Sequence, residues 1–394
     1  MTAIDLVLTV GALPILAATL YLAALAVLSR RKPAPVRPAA GVFFDIIVPA
    51  HDEEAGIAAT VASLRGVDYP ADRFRVLVVA DNCHDRTAEV AAAAGAQVLV
   101  RTDPDNRGKG YALAHAFGQS LRDGRADAVV VVDADTVVSP NLLSAFAARF
   151  AAGASVVQGD YGVQNMRASW RTRIMTIALA AFHGVRSAGR EQLGLSCGLR
   201  GNGMGFSTAL LRQHPPSAFS IVEDLEYGIQ LGYAGLRVVY VHDAHVWGQM
   251  AVGEQASRSQ RRRWERGRKA LVREHVSRLI AEAWRRRDAR LIDLAMDLIV
   301  PPLGQLVVMT VAGLALSLGA VLFGAVVAPW LWAAAALAIV AYVGQAVVLS
   351  GTGLAGVVDL AWAPVYIVWK LTLRLSDRGR TPEEWVRTTR EANP

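Results

Sequence analysis

Leu6–Leu28 is a run of 23 residues without a charge, and a second uncharged stretch extends from Leu298 to Val358. As a helix the first would reach about 35 Å, more than the hydrocarbon core of a bilayer. The second, punctuated by Pro301, Pro302 and Pro329, is too long for one crossing; two crossings would use roughly 40–50 of its residues. A secretory signal peptide would begin with basic residues, yet the first Lys or Arg is Arg30. Arg30, Arg31 and Lys32 follow the apolar run instead, which orients that end toward the cytoplasm. After Asp359 comes a shorter apolar piece, Leu360–Leu373, which contains Lys370 and reads as interfacial. The basic tail (Arg374, Arg378, Arg380, Arg387, Arg390) belongs on the cytoplasmic side, and one N-terminal plus two C-terminal spans returns it there.

The expected organisation is a transmembrane helix at 1–29, a cytoplasmic domain at 30–290, a membrane region at 291–375 (two spans and an interfacial helix), and a basic cytoplasmic tail at 376–394. The chain is thus expected in the cell (inner or plasma) membrane, multi-pass, in contact with membrane lipids. The net charge of +7 raises nucleic acid as a partner. The bases, however, crowd into Arg258–Arg273 and Arg285–Arg290, without the interleaved aromatics of a nucleic-acid groove. Anionic lipid or a diphosphate is the simpler partner. The two cysteines, Cys83 and Cys197, suit a reducing cytosol and exclude a disulfide framework or a Cys-based zinc site.

Between the apolar stretches, strand-like runs at Phe43–Pro49, Arg75–Ala80, Gln97–Arg101 and Ala128–Asp133 alternate with helix-like stretches near Glu53–Leu64, Thr87–Ala94 and Lys109–Leu121. That alternation predicts βαβ units and a mostly parallel sheet, whose ligands gather at the carboxyl ends of the strands. Three polar clusters stand at those ends: His51-Asp52-Glu53-Glu54, Asp81-Asn82 and Asp133-Ala134-Asp135. Further on, Trp170–Gly189, Glu223–Leu231 and Glu254–Leu279 read as helices and Arg237–Val241 as a strand.

The chemistry these residues offer is specific in kind. Asp133 and Asp135 can hold a hard divalent cation with phosphates completing its shell, or simply form a solvated turn. Asp81 can accept the N–H of a pyrimidine base, or serve as a helix cap or Asx turn before Thr87. Glu223-Asp224 can take a proton from an attacking hydroxyl, or cap the following helix. On a helix Gln260, Arg263 and Trp264 share a face, giving a phosphate partner and a flat floor for a sugar. Arg261 and Arg262 read better as lipid-facing.

Together the ordered set Val48-Pro49-Ala50-His51-Asp52-Glu53-Glu54, Asp81, Asp133-Ala134-Asp135, Glu223-Asp224 and Gln260…Arg263-Trp264 resembles processive-type family-2 glycosyltransferases. That group holds cellulose, chitin, hyaluronan and poly-N-acetylglucosamine synthases and ceramide glucosyltransferases. The resemblance runs from Asp45 to about Lys269, with flanking membrane segments that also match. It implies a GT-A (Rossmann-like) α/β fold and a UDP-sugar donor, bound by Pro49, Ala50, Glu53, Asp81 and Lys109 together with Asp133 and Asp135. Asp133 and Asp135 would carry Mg²⁺ or Mn²⁺, Asp224 would be the base, and Gln260, Arg263 and Trp264 would close over donor and acceptor. Lys109 lies in Arg107-Gly108-Lys109-Gly110, a further element of the group, and Val222 replaces the Thr often found before Glu-Asp. The implied acceptor is a glycan, or alternatively a ceramide-like or polyprenyl lipid; a non-catalytic scaffold is the reading from another class.

Gly201-Asn202-Gly203-Met204-Gly205 is not a dinucleotide fingerprint and is expected to form a flexible loop near the acceptor. His242 and His245 lack a third metal ligand and read as structural. Asp52 and Glu54 are expected to cap the first helix, with Glu53 reaching the nucleotide.

Overall fold

The computed structural model describes residues 1–31, 41–217, 222–250 and 254–364, with the side chains of 254–266 outside the description. In chain order, α1 (Ala3–Leu28) precedes β1 (Phe44–Ala50), α2 (Ile57–Arg65), β2 (Phe74–Asp81), α3 (Thr87–Ala93) and β3 (Gln97–Arg101). Next come α4 (Lys109–Asp123), β4 (Ala128–Val131), β5 (Thr136–Val138), α5 (Leu142–Ala151) and β6 (Val156–Val163). Then follow α6 (Trp170–Leu179), α7 (Arg186–Gln192), β7 (Met204–Ser207), α8 (Thr208–Gln213), α9 (Glu223–Tyr233) and β8 (Val239–Gly248). The chain continues through α10 (Glu254–Arg286), α11 (Ala289–Ile299), α12 (Leu303–Ala320), α13 (Ala328–Ser350) and α14 (Gly353–Asp359). Two compact units result. One takes residues 1–31, 166–193 and 297–364, the other 41–165 and 194–296, among those described.

The second unit is built on an eight-stranded sheet in the order β3-β2-β1-β4-β7-β6-β8-β5. Its first four strands are the parallel half expected from the sequence, with Ala50 opposite Ala80 and Ile47 opposite Val131. They form because apolar runs such as Phe44-Asp45-Ile46-Ile47-Val48 can be covered on both faces, as central parallel strands require. Phe44, Ile46, Val48, Val130, Val132 and Phe146 all belong to the resulting core. The other half departs from the expected parallel order. β7 runs antiparallel to both β4 and β6, and β5 antiparallel to β8, so the sheet is mixed. Gly205 allows β7 its place: a Cβ there would sit 2.5 Å from Val157 and 3.1 Å from Phe146.

The first unit holds the three described helices long and apolar enough to cross a membrane: Ala3–Leu28, Leu303–Phe323 and Ala328–Ser350. α1 and α13 run side by side in the same direction. Near their starts, the buried Asp5 carboxylate accepts from the backbone N–H groups of Val327 and Ala328, a favourable place for an anion at a helix N-terminus. Near their ends, Arg30 Nε donates to Gln345 Oε1 at 3.1 Å. α12 joins α13 by a short turn and lies against it, with bare Gly313 under the Trp332 ring.

The predicted helix at Trp170–Gly189 exists, but a wide π turn at Ala180–Val185 divides it into α6 and α7. It belongs to the unit of apolar helices. Arg186 and Arg190 on α7 both reach Asp297, at 3.1 and 3.0 Å, and the hydroxyls of Tyr342 and Tyr21 accept from them. Periodicity alone could not place this segment, because its apolar face looks the same whichever unit it covers.

Candidate active site

β1, β2 and β4 are parallel, so their carboxyl ends open on one edge and bring the three polar clusters there. Asp81, at the end of β2, is 5% exposed, and its Oδ1 accepts from Arg101 Nη1 at 2.6 Å and Asn82 Nδ2 at 3.2 Å. Its backbone carbonyl lies 2.7 Å from His51 Nδ1. Pro49 pairs with Val79, and the carbonyl of Ala50 accepts from the Cys83 thiol. Asp52 and Glu54 do not cap the first helix as expected. Gly56 stands at that position without a side-chain cap, while Asp52 accepts from His84 N–H and Glu54 from Arg86 N–H. The two acids therefore tie the β1 loop to the β2 loop. Asp52 and Asn82, at φ +53° and +51°, are non-glycine residues in the left-handed region at these strand ends. Glu53 anchors the same junction through its N–H, which donates to Thr87 Oγ1 at 2.7 Å.

The Asp133-Ala134-Asp135 turn is pinned from two sides. Thr60 Oγ1, on α2, donates to the Ala134 carbonyl at 2.8 Å. From the other side, fully buried Asn202 accepts from Asp133 N–H at 3.1 Å and donates to Thr136 Oγ1 at 2.8 Å. Asn202 is itself held by Gln158, whose Nε2 donates to the Asn202 carbonyl at 2.7 Å while its Oε1 accepts from Arg200 N–H. The segment expected to be a flexible loop is a clamp. Gly201 and Gly203, at φ +81° and +67°, supply the conformation it needs.

Lys109 begins α4 and crosses to this turn. Its Nζ donates to Asp133 Oδ1 at 2.5 Å and to the Gly201 carbonyl at 2.6 Å. Burial opposes its charge, but Asp133, Glu223 and Asp224 overrule that effect and raise its pKa. Gly201 also brings in α9: a Cβ there would lie 3.2 Å from Asp224 Oδ2 and 3.8 Å from Lys109 Nζ. Burial raises the pKa of Asp224 against the opposing pull of Lys109. Burial and the neighbouring Asp224 raise that of Glu223 to about 7. One corner thus gathers Lys109, Asp133, Gly201 and Asp224.

Residues 40–267 match the model of a family described as "Glycosyltransferase like family 2". The chain belongs to this family. Among curated proteins, this family-2 chain is 25% identical over 236 residues to a probable glycosyltransferase of Bacillus subtilis, covering 58% of the chain and 55% of the relative. It is 30% identical over 233 residues to an N-acetylglucosaminyltransferase of Rhizobium meliloti, covering 55% of the chain and 52% of the relative. The chain therefore spans about half the length of these relatives. Among solved structures, a mannosyltransferase from Pyrobaculum calidifontis in complex with GDP-Man and Mn²⁺ matches with a TM-score of 0.51 at 20% identity. That match covers 91% of this chain and 98% of the other, and bears on the fold, which is GT-A.

Gln260, Arg263 and Trp264 lie on the backbone of α10, with side chains outside the described residues. His245 pairs with Asp160 at 3.1 Å, and His242 lies 3.6 Å from Asp243. No local pattern in the sequence distinguishes Arg101 and Gln158 from ordinary polar residues, and the glycines around Asn202 point to a loop and not to the grip it provides.

Proposed function

We propose that this chain is a membrane-embedded, inverting glycosyltransferase that moves a hexose from a UDP-sugar to a glycan acceptor at the cytoplasmic face of the cell membrane. The observation that carries this reading is the meeting of Lys109, Asp133 and Asp224 around Gly201. A departing diphosphate needs positive charge, and an attacking hydroxyl needs a carboxylate beside it. Asp81 supports a pyrimidine donor: with Arg101 on Oδ1, Oδ2 can accept the imide N–H of uracil. Pro49, Ala50 and Glu53 border the same nucleotide position.

Asp133 and Asp135 offer hard oxygen donors two residues apart, and Asp133 already draws the Lys109 ammonium. That donor set fits Mg²⁺ or Mn²⁺ with phosphate oxygens completing the shell. When bound, the ion neutralises charge on the leaving diphosphate. Lys109 adds a second cation there, Arg263 a third, and Gln260 and Trp264 close over the sugars. Asp224 accepts the acceptor's hydroxyl proton as its oxygen attacks the anomeric carbon from the face opposite UDP.

The three apolar helices, with α1 parallel to α13 and the bases Arg30 and Arg31 at the end of α1, support a multi-pass placement. A glycolipid synthase acting on a ceramide-like or polyprenyl lipid is the second reading. One observation favours it: α6 and α7, from the middle of the chain, belong to the same compact unit as the apolar helices. One sugar on a lipid, rather than a ladder of chain lengths, would select it. The test of the site is direct. EDTA should abolish transfer and weaken donor binding, and Asp135→Ala should do the same with metal present. Full activity of Asp135→Ala in EDTA contradicts the proposal.

A further inference from the structure

At the carboxyl edge of the sheet, β6 and β8 carry a cluster that the transfer chemistry above does not use. Asp160 Oδ1 accepts from the Tyr240 hydroxyl at 2.7 Å, and its Oδ2 lies 3.1 Å from His245 Nδ1. The His245 ring stacks on Trp247, with centroids 5.5 Å apart and planes 13° from parallel. At that spacing the rings are offset and form a stepped shelf, not a closed sandwich. Gly162 is the bed on which the indole rests, since a Cβ there would come within 2.9 Å of Trp247 Cδ1. The cluster is partly open to solvent: the side chains of His245 and Asp160 are 37% and 29% exposed and Trp247 is half-buried, while Tyr240 is buried beneath them.

Register places this shelf beside the Asp133–Asp135 turn. Asp160 lies opposite His245 and Gly162 opposite Trp247, while on the other side of β8 Val137 lies opposite Trp247 and Thr136 opposite Gly248. Opposed residues in a ladder point to the same face, so Asp160, His245, Trp247 and Val137 share one. Val137 is two residues beyond Asp135, so the backbones of Trp247 and Asp135 stand roughly 8 Å apart, two residues along β5 and one strand across.

A pyranose has an apolar C–H face and a rim of hydroxyls. Flat aromatic rings edged by a carboxylate and an imidazole match both features, the rings by contact and the edge by hydrogen bonding. We propose that Trp247 and His245, with Asp160 at the rim and Tyr240 fixing Asp160, form a pyranose-binding subsite beside the Asp133–Asp135 turn. This rests on the glycosyltransferase reading above. The ring is either the one being transferred or the terminal sugar of the acceptor.

The experiment uses the full-length protein in detergent as wild type, Trp247→Ala, Trp247→Phe and His245→Ala. One arm measures hydrolysis of UDP-glucose, UDP-N-acetylglucosamine and GDP-mannose with Mn²⁺. The other measures saturation-transfer NMR signals from methyl β-glucoside, methyl N-acetyl-β-glucosaminide and methyl α-mannoside. Loss of one ring contact should cost about tenfold. A rise of that size in the KM of the nucleotide sugar for Trp247→Ala assigns the shelf to the donor's ring. Loss of the glycoside signal assigns it to the acceptor's. Trp247→Phe keeps a ring and should stay near wild type. His245→Ala, which leaves the Trp247–Gly162 packing in place, should weaken the same arm and so separates a lost shelf from a lost fold. Wild type that hydrolyses donor but gives no glycoside signal, with both alanine variants unchanged in KM, overturns the subsite alone. Wild type that hydrolyses none of the three donors overturns the glycosyltransferase reading, and the glycoside arm still reads the subsite.

Discussion

Glu223 and Asp224 are adjacent acids in one crowded place, and their environments decide which can work as a base. Burial raises both, and repulsion from Asp224 helps to bring Glu223 to about 7, with Lys109 pulling the other way. A base acts only when deprotonated, so the raised pKa of Asp224 means that transfer should rise with pH above the usual carboxylate range and then level off. A raised pKa acts on stability with the opposite sign. Between the ordinary glutamate value of 4.5 and about 7, folded Glu223 holds a proton that the unfolded chain has lost, so stability falls as pH rises across that window. Asp224→Asn keeps the shape and removes the base, and should lower turnover by about 10²–10⁴ with little change in UDP-sugar affinity. Near-normal turnover in that variant, with loss in Glu223→Gln, would assign the base to the other carboxylate. Asp133, Asp135 and Asp224 are candidates from sequence because their side chains advertise their chemistry, and Lys109 because Arg107-Gly108-Lys109-Gly110 resembles an element of the family. Arg101 is not one, since its meaning appears only when β3 pairs with β2 and delivers its guanidinium to Asp81.

The elements read from sequence were those whose signal is local. β1 to β4 are predominantly apolar runs bounded by turn residues, and they stand where the pattern puts them. β5 and β7 have three and four residues, too short to carry a period, and they pair antiparallel with strands distant in the chain. Gly201-Asn202-Gly203 departs from the expected flexible loop for a related reason: glycines signal conformational freedom, whereas here they supply one conformation that lets Asn202 grip the Asp133 turn. That grip predicts a phenotype. Second-layer partners of a metal site typically contribute 10–100-fold in affinity, so Asn202→Ala should weaken Mn²⁺ binding by at least about tenfold in an EPR titration. Asn202→Ala with wild-type Mn²⁺ affinity and an unchanged melting temperature would show that the turn holds itself.

For the whole molecule, the uncharged stretches set the order of segments, and three described helices of sufficient length occupy them. The parallel α1 and α13, pinned at Asp5 and at Arg30, were beyond sequence reading because their partners lie more than 300 residues apart. With the Lys/Arg bias this arrangement predicts opposite sides for Ala3 and Ala40. Single cysteines there, in a background lacking Cys83 and Cys197, should react from outside and inside respectively. Labelling of both from outside would contradict the topology. Single displacement at the Lys109–Asp133–Asp224 corner fixes the stereochemistry of the product. Membranes containing the chain, supplied with a UDP-sugar of α configuration, an acceptor and Mn²⁺, should yield a product whose new glycosidic linkage shows the β configuration at its anomeric proton in ¹H NMR spectra. A product that retains the α configuration would contradict the account.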